Sequence, residues 1–224
     1  FWERGIKMTQ SYGLTEGGPS NFFFVPECYD MQQIEARAGS IGFPMFHCDC
    51  KIVNPEGKRA APEEAGELCF RGPHVFSGYL GDPARTESVM DADGWVHSLD
   101  LARTDEDGFV YIVGRVDNMY VTGGENVAPE EVEQVLCRYP GIAQITVVGV
   151  PDDRWGQVGL AVIVPVSGVA VSEDDLKEYS RAHLAGYQVP KYFRFAESLP
   201  LTGAGKIDRQ ALKDQFLRQK ERTE

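Results

Sequence analysis

Apolar residues fall along this chain in two textures. In the first half they come as short runs divided by Gly, Pro, Asn and Asp. Alternation over 48–53 puts Cys48, Cys50 and Ile52 on one face of a strand, which Asn54-Pro55-Glu56-Gly57 ends. Residues 67–70 form a second strand, closed by Arg71-Gly72-Pro73. Two more, at 94–97 and 109–113, flank Asp105-Glu106-Asp107-Gly108, whose Asp-Gly pair marks a hairpin turn. The stretch from about 40 to 115 therefore reads as a small antiparallel sheet or barrel.

After Gly114 the pattern changes. Pro129-Glu130-Glu131-Val132 opens a helix with Pro near its first position and acids in its first turn. Val132, Val135 and Leu136 share a face, and Pro140-Gly141 stops the helix. Glu130, Glu131 and Glu133 read as its solvated side. Runs at 145–150 and 160–166 are apolar, β-branched strands. Ser172-Glu173-Asp174-Asp175 has the form of a capping box for a helix ending near Gly186. A further strand is predicted at 191–196, and Asp208 caps a charged terminal helix. The second half is α+β, with a boundary near residue 116.

Charge narrows the classes. The 224 residues carry 22 Lys and Arg against 34 Asp and Glu, a net charge of −12. That excludes the basic surface a nucleic-acid partner needs. No apolar run approaches the roughly 18 residues of a membrane span. Five cysteines at irregular spacing read as reduced, intracellular thiols.

Three segments carry candidate chemistry. Tyr12-Gly13-Leu14-Thr15-Glu16-Gly17-Gly18 combines a ring, a hydroxyl, a carboxylate and glycines. Glycine lets backbone approach a ligand, and a carboxylate beside phosphate is a Mg²⁺ ligand. Gly114-Arg115-Val116-Asp117, followed by Val121-Thr122-Gly123-Gly124, offers a guanidinium for ribose or phosphate and glycines to line a passage. Leu199-Pro200-Leu201-Thr202-Gly203-Ala204-Gly205-Lys206 delivers a lysine after a glycine loop. It is not a Walker loop, because Pro200 and Ile207 stand where Gly and Ser/Thr belong. Singly, the three are also explained by a surface turn, a linker and an exposed loop lysine.

Together, in order and spacing, they resemble the signature blocks of the adenylate-forming superfamily of acyl-CoA synthetases, luciferases and peptide-synthetase adenylation domains. The resemblance leans towards fatty-acyl or aryl CoA ligases. Gly39-Ser40-Ile41-Gly42-Phe43-Pro44, Gly66-Glu67-Leu68-Cys69-Phe70-Arg71-Gly72-Pro73, Phe76-Ser77-Gly78-Tyr79 and Gly94-Trp95-Val96-His97-Ser98-Leu99-Asp100-Leu101 resemble further blocks. The resemblance implies an α+β fold in two parts. Residues 1–116 would end a large adenylate-binding domain and include a small antiparallel β-barrel. Residues 117–224 would form a mobile small domain with a catalytic lysine. The implied reaction joins a fatty or related carboxylic acid to CoA, using ATP and Mg²⁺, through an acyl-adenylate.

The resemblance also implies roles residue by residue. Tyr12 would stack on adenine, Thr15 contact phosphate and Glu16 hold Mg²⁺. Asp100, acceptor-only when ionised, would take both ribose hydroxyls, with Arg115 on ribose or phosphate nearby. Lys206 would bridge carboxylate and phosphate oxygens during adenylation. Asp117 would be the hinge of a domain rotation. Gly123 and Gly124 would line the channel for the pantetheine arm of CoA, beside the Trp155-Gly156-Gln157 block.

Three departures stand out. Ser98-Leu99-Asp100 replaces the usual Thr-Gly-Asp, Asn118 replaces a common acid, and Gly203-Ala204-Gly205 is an unusually flexible lead-in to Lys206. A Ser/Thr/Gly-rich phosphate loop, expected upstream of Tyr12, does not precede it, and the start Phe1-Trp2-Glu3-Arg4 resembles the middle of a protein. The expectation is a portion of a longer cytoplasmic enzyme, inactive in adenylation by itself. An adenylation domain loading a carrier protein and a non-catalytic binding fragment are the alternatives. A long acyl substrate would imply peripheral membrane contact, although −12 offers no attraction to anionic lipid. His47-Cys48-Asp49-Cys50 suggests zinc, but strand alternation reads Cys48 and Cys50 as buried apolar positions. His74, His97 and His183 fit no nucleophile pattern.

Overall fold

The computed structural model describes residues 2–221. The chain divides into two compact units, residues 1–116 and 117–224. Both mix helices with sheet, giving the α+β class. Among the described residues no helix is long and apolar enough to cross a membrane.

The first unit holds strands β1 (Ser11–Leu14), β2 (Gly18–Phe23), β3 (Ser40–Pro44), β4 (Asp49–Val53), β5 (Gly66–Arg71), β6 (Val96–Thr104) and β7 (Val110–Arg115). They pair antiparallel in the order β1-β2-β3-β7-β6-β5-β4. No pairing among the described residues joins β1 to β4, so the sheet is an open path. Two short helices lie between strands: α1 (Met31–Ala36) and α2 (Pro83–Val89). Neither is predicted above, yet both carry start signals. Asp30 exchanges capping bonds with Gln33, and Asp82 caps Arg85 N just before Pro83.

Inward residues Phe22, Leu68, Phe70, Val96 and Ala102 build the core. Cys48 sits in that core and Cys50 packs against it, as apolar positions of β4. Burial pushes the Cys48 and Cys69 thiols up to about 12, whereas Cys28 and Cys137 are exposed. Native protein is therefore expected to release two thiols rapidly to Ellman's reagent, half-buried Cys50 slowly, and the rest only on unfolding. Prompt reaction of all five would contradict this packing.

In the second unit the strands are β8 (Tyr120–Thr122), β9 (Glu125–Val127), β10 (Ile142–Asp152), β11 (Gly156–Pro165) and β12 (Tyr192–Phe195). The order is β10-β11-β8-β9, with β12 parallel to β11. Helices α3 (Pro129–Leu136), α4 (Glu173–His183) and α5 (Arg209–Glu221) complete it. Val132, Leu136 and Leu176 cover one sheet face, against Val147, Ala161 and Ile163. Leu212 and Phe216 of α5 cover the other, against Val148, Leu160 and Val162. Burial on both faces explains why β10 and β11 read as continuous apolar runs instead of alternating.

Candidate functional site

Asp100 is the centre of a polar cluster in the first unit. It lies on β6 opposite Arg115 of β7. The Arg115 guanidinium donates to Asp100 Oδ1 at 3.0 Å, and the Tyr12 hydroxyl donates to Oδ2 at 2.6 Å. Two side chains, one from the neighbouring hairpin strand and one 88 residues upstream, thus converge on one carboxylate. Burial first, and the adjoining Asp100 carboxylate second, hold the Tyr12 phenol protonated well above its usual range. Its ring meets Phe22 edge-on. An ionised carboxylate has about four lone-pair sites. Tyr12 and Arg115 leave some of them open, so Asp100 retains capacity for ligand hydroxyls.

The backbone that presents Asp100 is irregular. Between β5 and β6 the register runs from Glu67↔Leu101 to Cys69↔His97, so β6 carries extra residues and bulges. Leu99 sits in the bulge at φ +60, a conformation costing a non-glycine residue roughly 1–2 kcal/mol. Its N–H donates to Glu67 Oε1 at 3.2 Å, and its carbonyl accepts from Val116 N at 2.8 Å. The Asp100 N–H bonds the buried Ser98 hydroxyl at 3.0 Å. The strand predicted to end at residue 97 therefore continues to Thr104, and the bulge is what broke its alternation.

Thr15 and Glu16 lie in the tight turn joining β1 to β2. Glycine is required at 17, where a Cβ would come within 2.2 Å of the Phe70 ring. Thr15 is exposed. The Glu16 carboxylate accepts from the Tyr79 hydroxyl, and its carbonyl accepts from Phe76 N at 2.8 Å. The 76–79 block is thereby tied to the turn. Glu16 Oε2 has no partner among the described residues, so a hard-oxygen ligand of the kind Mg²⁺ takes stands available here.

In the second unit Gly123 and Gly124 form the two-residue turn of the β8–β9 hairpin, at φ +59 and +93. The sequence offers this stretch as the lining of a passage or as a linker; the Gly-Gly pair between two short strands is also a hairpin signal. Gly123 lies against Trp155, where a Cβ would come within 2.8 Å of the ring. Its N–H donates to the Trp155 carbonyl at 2.9 Å, and Val121 N–H donates to Gln157 Oε1 at 3.2 Å. The Trp155-Gly156-Gln157 block therefore anchors the glycine hairpin. Beside them opens a groove of about 380 Å³ lined by Gly123, Glu125, Trp155, Tyr187 and Lys191.

Lys206 ends a closed loop. Leu201 bridges to Ile207, and Thr202 N–H donates to the Lys206 carbonyl at 2.7 Å. Asp208 caps α5 through Ala211 N at 2.9 Å. The Lys206 side chain is exposed and has no ion-pair partner among the described residues. Asp117 opens the unit and is exposed. The acidic face of α3 is not the solvated side that its sequence suggests. Glu133 accepts from both Arg209 nitrogens, at 2.7 and 3.2 Å, and from Val147 N and the Thr146 hydroxyl. Glu130 accepts from Asn118 at 2.6 Å and from Arg209 at 3.3 Å. These carboxylates are half-buried anchors, Glu130 22% and Glu133 17% exposed, because Arg209, arriving from α5, supplies the charge that permits their partial burial.

One cluster was not anticipated. Glu67, Cys69 and His97 present ligand atoms within 4.8 Å of one another. A hydrogen bond of 2.8 Å between His97 Nδ1 and Glu67 Oε2 already accounts for the approach.

Comparison with known proteins places these blocks in context. Residues 1–80 match the family described as AMP-binding enzyme, and residues 131–206 match the AMP-binding enzyme C-terminal domain. Feruloyl-CoA synthase of an Amycolatopsis species is 42% identical over 207 residues, covering 92% of this chain and 41% of that protein. Long-chain-fatty-acid–CoA ligase of Salmonella typhimurium is 38% identical over 218 residues, covering 95% of this chain and 37% of its own length. The solved o-succinylbenzoate CoA synthetase (MenE) from Bacillus subtilis, in complex with its acyl-adenylate intermediate OSB-AMP, superposes with a TM-score of 0.84 at 34% identity. It covers 95% of this chain and 42% of that one. The chain spans about two-fifths of the length of such relatives. With both AMP-binding regions matched in order and the fold shared, the chain belongs to the adenylate-forming superfamily.

Proposed function

We propose that these residues serve an ATP-dependent acyl-CoA ligase, which converts a carboxylic acid, ATP and CoA into acyl-CoA, AMP and pyrophosphate. The observation that carries the reading is the convergence of Tyr12 and Arg115 on Asp100, in a chain similar to aryl and fatty-acyl CoA ligases. The open sheet of the first unit is taken as the barrel-like part of a larger adenylate-binding domain.

Asp100 accepts the ribose hydroxyls through the lone pairs its partners leave open. Tyr12 offers its ring to adenine, and Arg115 reaches ribose or phosphate. Thr15 contacts phosphate from its exposed turn. Glu16 holds Mg²⁺, which when bound offsets the negative charge of the phosphate oxygens. In adenylation a carboxylate oxygen forms a bond to the α-phosphorus as the bond to pyrophosphate breaks. Lys206 donates to carboxylate and phosphate oxygens as charge builds. In the second half-reaction the thiol sulfur attacks the acyl carbon, AMP leaves with its oxygen, and the thiol proton passes to solvent. Asp117 is the hinge about which residues 117–224 turn between the steps. That turn withdraws Lys206 and presents Gly123, Gly124 and Trp155 to the pantetheine arm, with the adjoining groove as its bed.

The substrate is proposed as a fatty or aryl acid. A panel of saturated fatty acids and hydroxycinnamic acids, given with ATP, Mg²⁺ and CoA to the whole polypeptide that carries these residues, tests it. Thioester formation with one acid class is the expected result. Acyl-adenylate formed without any transfer to CoA would remove CoA as the acceptor.

A further inference from the structure

We infer that Glu67 is a positioning residue for nucleotide binding, acting through the strained residue that precedes Asp100. The inference rests on the reading of Asp100 as the ribose acceptor. The bulge in β6 takes Leu99 out of the regular β5–β6 ladder, which leaves its N–H without a backbone acceptor. Glu67 supplies the acceptor instead, from the neighbouring strand, through Oε1. Its Oε2 meets His97 Nδ1 on the other side of the bulge, and His97 Nε2 lies 3.9 Å from Asp91. One carboxylate thus holds the chain at residues 97 and 99 at once.

Leu99 lies on the exposed side of the strand, with 36% of its surface open. Its left-handed conformation at φ +60 persists because Glu67 and Val116 fix its N–H and its carbonyl. Asp100 follows directly, and a change in the peptide joining 99 to 100 would turn its carboxylate away from Tyr12 and Arg115. Glu67 touches neither Tyr12 nor Arg115 among the described contacts, so its influence passes through the backbone.

The test is a cycle in the whole polypeptide, read as AMP affinity by calorimetry and as KM for ATP against kcat. Asp100→Ala comes first: unchanged AMP affinity there would reject the ribose reading itself and leave Glu67 without an object. With that loss established, Glu67→Leu is expected to weaken AMP binding and raise KM for ATP about tenfold, equivalent to ~1.4 kcal/mol. The KM for the carboxylic acid should change little. Glu67→Gln, which keeps an acceptor for Leu99 N–H, is expected to recover most of the loss. The deciding variant is Leu99→Gly, where φ +60 carries no side-chain penalty. In that background Glu67→Leu should weaken AMP by less than about threefold. An equal tenfold loss in both backgrounds, or parallel rises in KM for ATP and carboxylic acid, would overturn the inference.

Discussion

Lys206→Ala is expected to lower carboxylate-dependent pyrophosphate exchange by at least about 100-fold, the scale on which loss of one charge-stabilising donor acts. Thioester formation from supplied acyl-adenylate should stay within about threefold, because the proposed mechanism asks nothing of Lys206 once the adenylate exists. The side chain is exposed and makes no ion pair among the described residues, so its removal should leave stability unchanged. Gly124 is the converse probe. No atom lies within 4 Å of a Cβ built there, but its φ is +93. Gly124→Ala carries the backbone penalty alone, and Gly124→Leu adds bulk in open space. Any extra loss in the leucine variant should fall on thioester formation and spare pyrophosphate exchange. If both Lys206→Ala and Gly124→Leu impair the same half-reaction, the division of labour is wrong.

Arg209→Leu is expected to destabilise the second unit by about 3 kcal/mol, the lower end for breaking an interior ion pair, since its side chain and that of Glu133 remain 20% and 17% exposed. The guanidinium serves Glu133 with two nitrogens and also donates to the Val147 carbonyl at 2.6 Å. Its loss strands two carboxylates on α3. Arg209→Lys should recover only part, because an ammonium cannot reproduce the planar fork. Removing the stranded charge as well, with Glu133→Gln in the Arg209→Leu chain, should restore about half the loss, a non-additivity readable in urea midpoints. Additive losses would show that the two residues are not coupled.

Most of the second unit could be read from its sequence. Both faces of β10 and β11 are apolar, Pro129 and Ser172 mark helix starts, and Asp208 caps α5, all signals carried by local residues. Some local signals, such as the caps of α1 and α2 and the Gly123-Gly124 hairpin, are easily passed over, but the rest is set by partners distant in sequence. Glu130 and Glu133 look solvent-facing until Arg209 arrives from α5. The bulge at Leu99 depends on a carboxylate from another strand, so the Ser98-Leu99-Asp100 departure could be seen but its support could not. The site shows the same split. Tyr12, Asp100 and Arg115 each stood out by motif, yet the bond from the Tyr12 hydroxyl to Asp100 required the fold. Motif resemblance identifies residue types at positions, whereas only antiparallel pairing decides which of them touch.

The loop before Lys206 looks floppy in sequence, with Gly203, Ala204 and Gly205 in succession. Its ends are nonetheless tied by the Leu201–Ile207 bridge and by Asp208 N–H donating to the Pro200 carbonyl at 2.8 Å. When the lysine engages a ligand, the freedom surrendered is then that of one long side chain, about 2 kcal/mol. An open loop would add ~1–2 kcal/mol for every backbone residue that had to be ordered. A closed glycine loop therefore combines steric slenderness with a modest entropic barrier to engagement, a combination that suits the engagement and withdrawal proposed for Lys206.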